Sequence, residues 1–345
     1  MHMADALLSP AVGGGMWALS AGLIGYCSKV LRTTLDDWKI PLMGVVSAFV
    51  FAAQMVNFSI PATGSSGHLG GGLLLAILLG PHAAFLAIAS VLTVQAFFFA
   101  DGGLLALGCT IFNLGFFPCF VAYPLIYRRI AGSNPTTARL WTVSILAAVA
   151  GLELGALGVV LETRLSEISA LPFTTFIALM LPIHLPIGII EGIVTAAVVQ
   201  FVYRARPEVF DAATALSQGR KIAVAPVLVV LAIAAVCSGG VLSWFASSHP
   251  DGLEWALFHS TGTEEFAGRE DALHASLAHV QTKTAILPDY TFSASEAPAE
   301  TGAKTQWPAV DPGTSVSGIV GGAITLGIVA LAGLALRRRA APARP

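Results

Sequence analysis

The stretch Leu69-Gly-Gly-Gly-Leu-Leu-Leu-Ala-Ile-Leu-Leu-Gly80 carries no charge and no polar side chain. A helix that crosses the bilayer hydrocarbon needs roughly 20 apolar residues, and this run is shorter than that. Pro81-His82 follows at once, a natural break between helices. Whether 69–80 crosses the membrane decides the parity of everything after it, and the segments on either side must settle the matter.

Long apolar candidates surround it at 11–31, 40–58, 82–100, 103–127, 141–161, 176–203, 222–247 and 317–336. The composition agrees with a chain dissolved in lipid. Of 345 residues 55% are hydrophobic and 11% charged, against about 25% charged in soluble domains, and the mean hydropathy is +0.78. A net charge of −2 excludes a strongly basic nucleic-acid binder. Cys27, Cys109, Cys119 and Cys237 lie singly in apolar runs without C-x-x-C spacing, as small buried hydrophobes do.

Basic residues collect on the cytoplasmic side of a membrane protein. Lys29, Arg32 and Lys39 lie between the first two spans, which puts the N-terminus outside, and crossing back puts 59–68 outside too. Arg128, Arg129 and Arg139 then lie inside, so Asp101-Gly102-Gly103 is outside. Between 68 and 101 the chain therefore crosses twice or not at all. A short crossing at 69–80 followed by 82–100 is the preferred reading; a re-entrant loop is the alternative. Arg204, Arg206, Arg220, Lys221, Arg337, Arg338, Arg339 and Arg344 also fall inside, which leaves Arg164, Arg269, Lys283 and Lys304 outside. The expected fold is an all-α polytopic membrane protein, N-out and C-in. A seven-helix bundle over 1–210 precedes a two-helix unit over 211–345, which encloses the external loop 248–316. Small-xxx-small pairs such as Ala18 with Gly22 and Gly318 with Gly322 suit close helix packing.

The chain begins Met1-His-Met-Ala-Asp-Ala-Leu-Leu-Ser-Pro10. A secretory signal would place positive charge before a short apolar core, whereas here the only charge before Lys29 is Asp5. An uncleaved, outward-facing start is expected, and the bulky His2 should block removal of Met1. The free amine, the Met1–His2 peptide nitrogen and the His2 imidazole can then close fused chelate rings in one plane. A fourth nitrogen would complete a square, a geometry that favours Cu(II) or Ni(II) over oxygen-seeking magnesium and calcium. The topology puts His68, the sole imidazole of the loop 57–71, on the same side as Met1. It is either that fourth ligand or a satisfied structural histidine.

Other polar residues stand in apolar spans. Glu153, His184 and Glu191 each cost at least roughly 2.5–3.5 kcal/mol if charged at the bilayer centre. His184 and Glu191 are spaced to share a helix face and could form a structural pair, hold neighbouring helices or line an ion path. The external His249, His259, His274 and His279 match no zinc spacing and read as solvated surface, as do Glu264, Glu265, Glu270 and Asp271. No G-x-x-x-x-G-K-[ST] is present, so the chain has no P-loop ATPase of its own.

MHMADALLSP, SGHLGGGLLLAILLGPHAA, VQAFFFADGGLLALGCTIFNLG and HLPIGIIEGIVTA (184–196) resemble the CbiM/NikM family, the substrate-binding membrane components of cobalt and nickel energy-coupling-factor (ECF) transporters. The resemblance covers about 1–210. It implies that the ion sits on the amine of Met1, the backbone nitrogen and imidazole of His2, and the imidazole of His68. Ser248-His-Pro-Asp-Gly-Leu-Glu-Trp255, with Leu287-Pro-Asp-Tyr290 and Trp307-Pro308, resembles the accessory CbiN/NikN component. The resemblance associates this fused arrangement more with nickel than with cobalt as cargo.

The resemblance further implies ATP-driven import across a prokaryotic plasma (inner) membrane, with no catalytic cofactor and a link to cobalamin biosynthesis. It implies partners: a CbiQ/NikQ-like scaffold and CbiO/NikO-like ATPases in the lipid bilayer, with no nucleic acid. Two other readings of the residues are an intramembrane metalloenzyme, for which no H-E-x-x-H is found in a span, and a metal sensor or receptor with 248–316 as its ligand-reading part.

Overall fold

A computed structural model describes residues 2–132, 134–167, 171–210, 217–218, 222–262, 271–292 and 307–337. Met1, Arg220, Lys221, Glu264, Glu265, Arg269, Glu270, Lys304, Arg338, Arg339 and Arg344 lie outside these residues.

The described chain is helical almost throughout. In order come α1 (Pro10–Thr34), α2 (Lys39–Gln54), β1 (Phe58–Ile60), β2 (Ser65–Gly67), α3 (Gly72–Leu79), α4 (Pro81–Phe99) and α5 (Leu107–Ala131). Then follow α6 (Thr137–Leu165), α7 (Phe173–Ala205), α8 (Ala225–Gly240), α9 (Gly252–Thr261), α10 (Ala272–Thr284) and α11 (Pro312–Leu336). Local chemistry starts several of them. Ser9 accepts the Val12 amide at 3.3 Å, and Asp311 accepts the Gly313 amide at 2.9 Å. In each case proline occupies the first helical position, where its missing N–H costs nothing.

Among the described residues, α4, α5, α6, α7 and α11 are long and apolar enough to cross a membrane, while α2 and α8 are apolar but of 16 residues each. Large apolar side chains stay exposed on outer helix faces, among them Leu146, Leu161, Ile189, Ile193, Ile233 and Leu331. In water such a surface would be unfavourable; against lipid tails it is the expected exterior. The protein is a multi-pass membrane protein.

Three expectations change with the fold. The stretch 69–80 yields only the eight residues of α3, about 12 Å at 1.5 Å per residue, against a hydrocarbon core of about 30 Å. Every residue of α3 is buried, so it is a half-length helix inside the bundle and not a full span. The physical reason lies at both ends: the Gly70 and Gly71 amides turn toward side-chain partners described below, and Gly80 adopts φ +84° before Pro81. Secondly, the fold is not wholly helical. Phe58–Ile60 pairs antiparallel with Ser65–Gly67, with Ala62 and Gly64 at positive φ in the turn between them. Thirdly, the loop 248–316 contains helices of its own, α9 and α10.

The core runs through α2, α3 and α4, whose facing side chains include Val46, Val50, Leu75, Phe85 and Val91. The C-terminal pair, α8 and α11, packs on α2. At the crossing of α8 and α11 the backbones meet at Gly239 and Gly318, where a Cβ on Gly318 would lie 2.4 Å from the Gly239 carbonyl oxygen. Gly318 thus meets the expectation of close packing, whereas Gly22 faces open space.

The described residues of 247–262 and 271–290 fold over one end of the bundle. Ser247 N–H donates to the Asn57 carbonyl at 2.8 Å, and the Ile286 and Leu287 amides donate to Phe98 O at 3.0 and 3.2 Å. Gln281 Nε2 donates to Ala96 O and Gly102 O at 2.9 and 2.7 Å. Residues 2–8 lie at this same end, since Gly103 N–H donates to Met3 O at 2.8 Å and Ala106 N–H to the Asp5 carboxylate at 2.8 Å.

His274 ties the cover to the N-terminal segment. Its Nδ1 lies 2.8 Å from both Asp271 carboxylate oxygens, and its Nε2 donates to Asp5 O at 3.1 Å. Burial lowers the proton affinity of His274, but the Asp271 carboxylate and the Asp5 carbonyl outweigh it and raise the imidazole above its ordinary 6.5. A raised folded value means that the contact's contribution is fully present below pH 6.5 and is lost as pH rises through the raised value. Amide protection in α10 and at residues 5–8, corrected for intrinsic exchange, is therefore expected to fall as pH rises through that interval. In His274→Gln the same profile should be flat. A native profile that is also flat would remove His274 from this role.

Candidate metal centre

His2 is nine-tenths buried at the end of α4. Its Nε2 lies 3.2 Å from the Gln95 side-chain oxygen and therefore donates to it. Gln95 Nε2 donates to the Gln54 side-chain oxygen at 2.9 Å, and Gln54 Nε2 donates to Gly70 O at 2.9 Å. This chain of amides assigns the proton of neutral His2 to Nε2 and leaves a lone pair on Nδ1. That nitrogen faces Asp101 Oδ1 at 3.4 Å, and the other Asp101 oxygen accepts the Tyr290 hydroxyl. A nitrogen lone pair and a carboxylate that face each other are two acceptors. A cation nearby, or a proton on Nδ1, relieves the repulsion.

His68 follows β2 and stacks on His2, with ring centroids 5.1 Å apart and an interplanar angle of 24°. Its Nδ1 donates to Leu69 O at 3.1 Å, so the lone pair sits on Nε2. Burial lowers the His68 pKa to about 4, with the adjacent His2 pushing the same way and Asp251 opposing. At neutral pH the imidazole is unprotonated, the form that binds a transition ion.

The loop that presents His68 is pinned from two sides. From the bundle, both oxygens of Glu191 on α7 accept backbone amides, Gly70 at 3.0 Å and Gly71 at 3.1 Å. These amides open α3, where a negative charge also suits the helix dipole. From the cover, Pro250 O accepts the Ser66 amide at 2.8 Å, His249 O accepts the Ser66 hydroxyl at 2.8 Å, and Trp255 Nε1 donates to Thr63 O at 2.9 Å.

His184 and Glu191 do not pair with each other. The His184 Nδ1 donates to Met180 O, one turn back on its own helix, at 2.7 Å. Glu191 instead takes two backbone donors, which satisfy a carboxylate better than one neutral imidazole does. His184 lines a crevice of about 10 Å³ with His68, Gly67, Gly70, Asp251 and Gly252, room for one ion or one water. Glu153 stands apart, half-buried on α6 with one oxygen lacking a hydrogen bond among the described residues. A larger chamber of about 1100 Å³ opens beside His2 and His68, lined also by Asp101, His249, Glu254 and Asp311.

So the structure brings His2 and His68 together, places His184 beside His68, and leaves Glu153 elsewhere; Met1 lies outside the described residues. Among those residues no three His, Cys, Asp or Glu side chains converge on one point. Gln54, Gln95 and Asp101 were missed in the sequence. The two glutamines are amides inside apolar helices, and that anomaly alone was the available signal.

A multi-pass helical membrane protein with two imidazoles stacked beneath a polar cover is of the class that takes up small ions. The chain belongs to the CbiM family: residues 2–209 match its cobalt uptake substrate-specific transmembrane region. Residues 225–338 match the PDGLE domain. The provisionally named fused nickel transport protein NikMN of Archaeoglobus fulgidus is 32% identical over 347 residues, covering 99% of each chain. The cobalt transport protein CbiM of Sorangium cellulosum is 32% identical over 219 residues, 61% of this chain and 95% of that one. A crystal structure of a truncated transition metal transporter superposes with a TM-score of 0.53 at 30% identity, covering 59% of this chain and 99% of that one. The chain is a component of transition-metal uptake.

Proposed function

We propose that this protein is the substrate-specific component of an ATP-driven ECF-type importer of Ni²⁺ or Co²⁺, with nickel favoured. The ion is held by the Met1 amine, the His2 backbone nitrogen and imidazole, and the His68 imidazole. Residues 1–210 carry the site and 211–345 the accessory unit, with the N-terminus outside and the C-terminus in the cytoplasm of a prokaryote. A CbiQ-like scaffold and CbiO-like ATPases supply the energy from separate chains. The observation that carries this reading is the stacked pair His2 and His68, each with one ring nitrogen committed to a protein acceptor and the other left as a donor.

Nickel is favoured because four nitrogens in a plane suit its tetragonal preference, and because a full-length relative bears a nickel name. A transporter subunit is favoured over an enzyme, since a relative matched along the whole chain bears a transport name. The test is uptake of radioactive nickel by cells that make this protein with or without the scaffold and ATPases. Uptake is expected only with all components, and excess cobalt should compete more weakly than unlabelled nickel. Uptake by the chain alone would overturn the ECF reading, and stronger competition by cobalt would reverse the choice of metal.

A further inference from the structure

The second unit reaches the crevice beside His68 with one charged group, Asp251, and its neighbours read as the means of delivering it. Pro250 supplies the carbonyl that holds the Ser66 amide. Asp251 itself caps α9, accepting the Leu253 and Glu254 amides at 2.8 and 2.9 Å, while its own amide donates to the Glu254 side chain at 2.8 Å. This reciprocal box fixes both backbone and carboxylate. At Gly252 a Cβ would lie 3.0 Å from His184 Cε1 and 3.2 Å from Ile187 Cδ1, so glycine lets the turn seat directly against α7. Leu253 is buried in the core. Each residue of the stretch Pro250–Glu254 thus helps bring one carboxylate against the wall of the site, where Asp251 and His68 share the same crevice and interact electrostatically.

Charge arithmetic gives that carboxylate a task. A dication bound by a neutral amine, two neutral imidazoles and one deprotonated peptide nitrogen keeps one net positive charge. A buried charge without a partner is strongly unfavourable. We propose that Asp251 is the counter-ion of the metal centre, a positioning carboxylate that the accessory unit contributes to neutralise the bound complex. This rests on the metal-binding reading of His2 and His68 given above.

The full chain in lipid nanodiscs, titrated with nickel alone, tests it through three variants. Asp251→Asn keeps a strong helix cap and removes the charge, Asp251→Glu keeps the charge and weakens the cap, and His68→Ala removes a ligand. The expected order of affinity is native, then Glu, then Asn. The Asn variant should lie at least about 10-fold below native, within the range typical of lost outer partners of metal ligands, while its metal-free form still unfolds cooperatively. If Asn binds as native does, or more tightly than Glu, Asp251 is only a cap and the proposal falls. If His68→Ala also binds as native does, the site reading falls and takes the proposal with it; loss of binding in His68→Ala alone leaves the site standing without the counter-ion.

Discussion

Two residues added ahead of Met1 are expected to weaken nickel binding by more than about 100-fold, beyond the usual effect of losing an outer partner of a metal ligand. The proposed chelate depends on a chain terminus. The amine, the next peptide nitrogen and the second residue's imidazole close two fused rings only when they are consecutive. An extension turns the amine of Met1 into an amide and removes it from the rings. A one-residue extension discriminates less well, because a histidine third from a free amine can close a four-nitrogen square without His68. Isothermal titration of the extended and native chains measures the difference, with mass spectrometry confirming the first residue. Native affinity in the extended chain, or in one whose amine is acetylated, would remove the amine from the site.

Glu191→Ala should be the most damaging single change among the polar residues of the spans. It strips the Gly70 and Gly71 amides of both acceptors at a buried position. Each orphaned donor costs about 1–3 kcal/mol, so the loss is about 2–6 kcal/mol. The damage should also reach the metal, because Gly70 is next but one to His68 and its carbonyl ends the amide chain from His2 through Gln95 and Gln54. We expect a lower melting temperature in nanodiscs together with a loss of nickel affinity. Native values for both would show that the loop holds its shape without Glu191.

The apolar runs were legible because their only requirement is length and the absence of charge: each of the eight long ones overlaps a helix among the described residues, and five of those helices are long and apolar enough to cross a membrane. The half-length of α3 was not, since it depends on where the Gly70 and Gly71 amides find acceptors, and the acceptor lies on α7, far along the chain. His2 and His68 were legible as a pair through histidine chemistry at a chain start and through family likeness. Their tautomers were not, because Gln95 and Leu69 O act through geometry alone. Of the roles open to His184 and Glu191, direct pairing with each other is not the one adopted, for a related reason. A shared helix face says that two groups can meet, but a carboxylate goes to the strongest donors, and those were backbone amides. The contacts by which the stretch after 247 holds the loop 57–68 were not legible, for they are largely made to main-chain carbonyls, which every sequence possesses.

Carrying α8, α9 and α11 on the same chain as the bundle has a consequence for assembly. A tethered segment meets its docking place at an effective concentration in the millimolar range, whatever the cellular supply of either part. The cover over His2 and His68 is thus present once per bundle and cannot be diluted away. Its seating is an intramolecular step, so the fraction of bundles that carry a seated cover is independent of protein abundance.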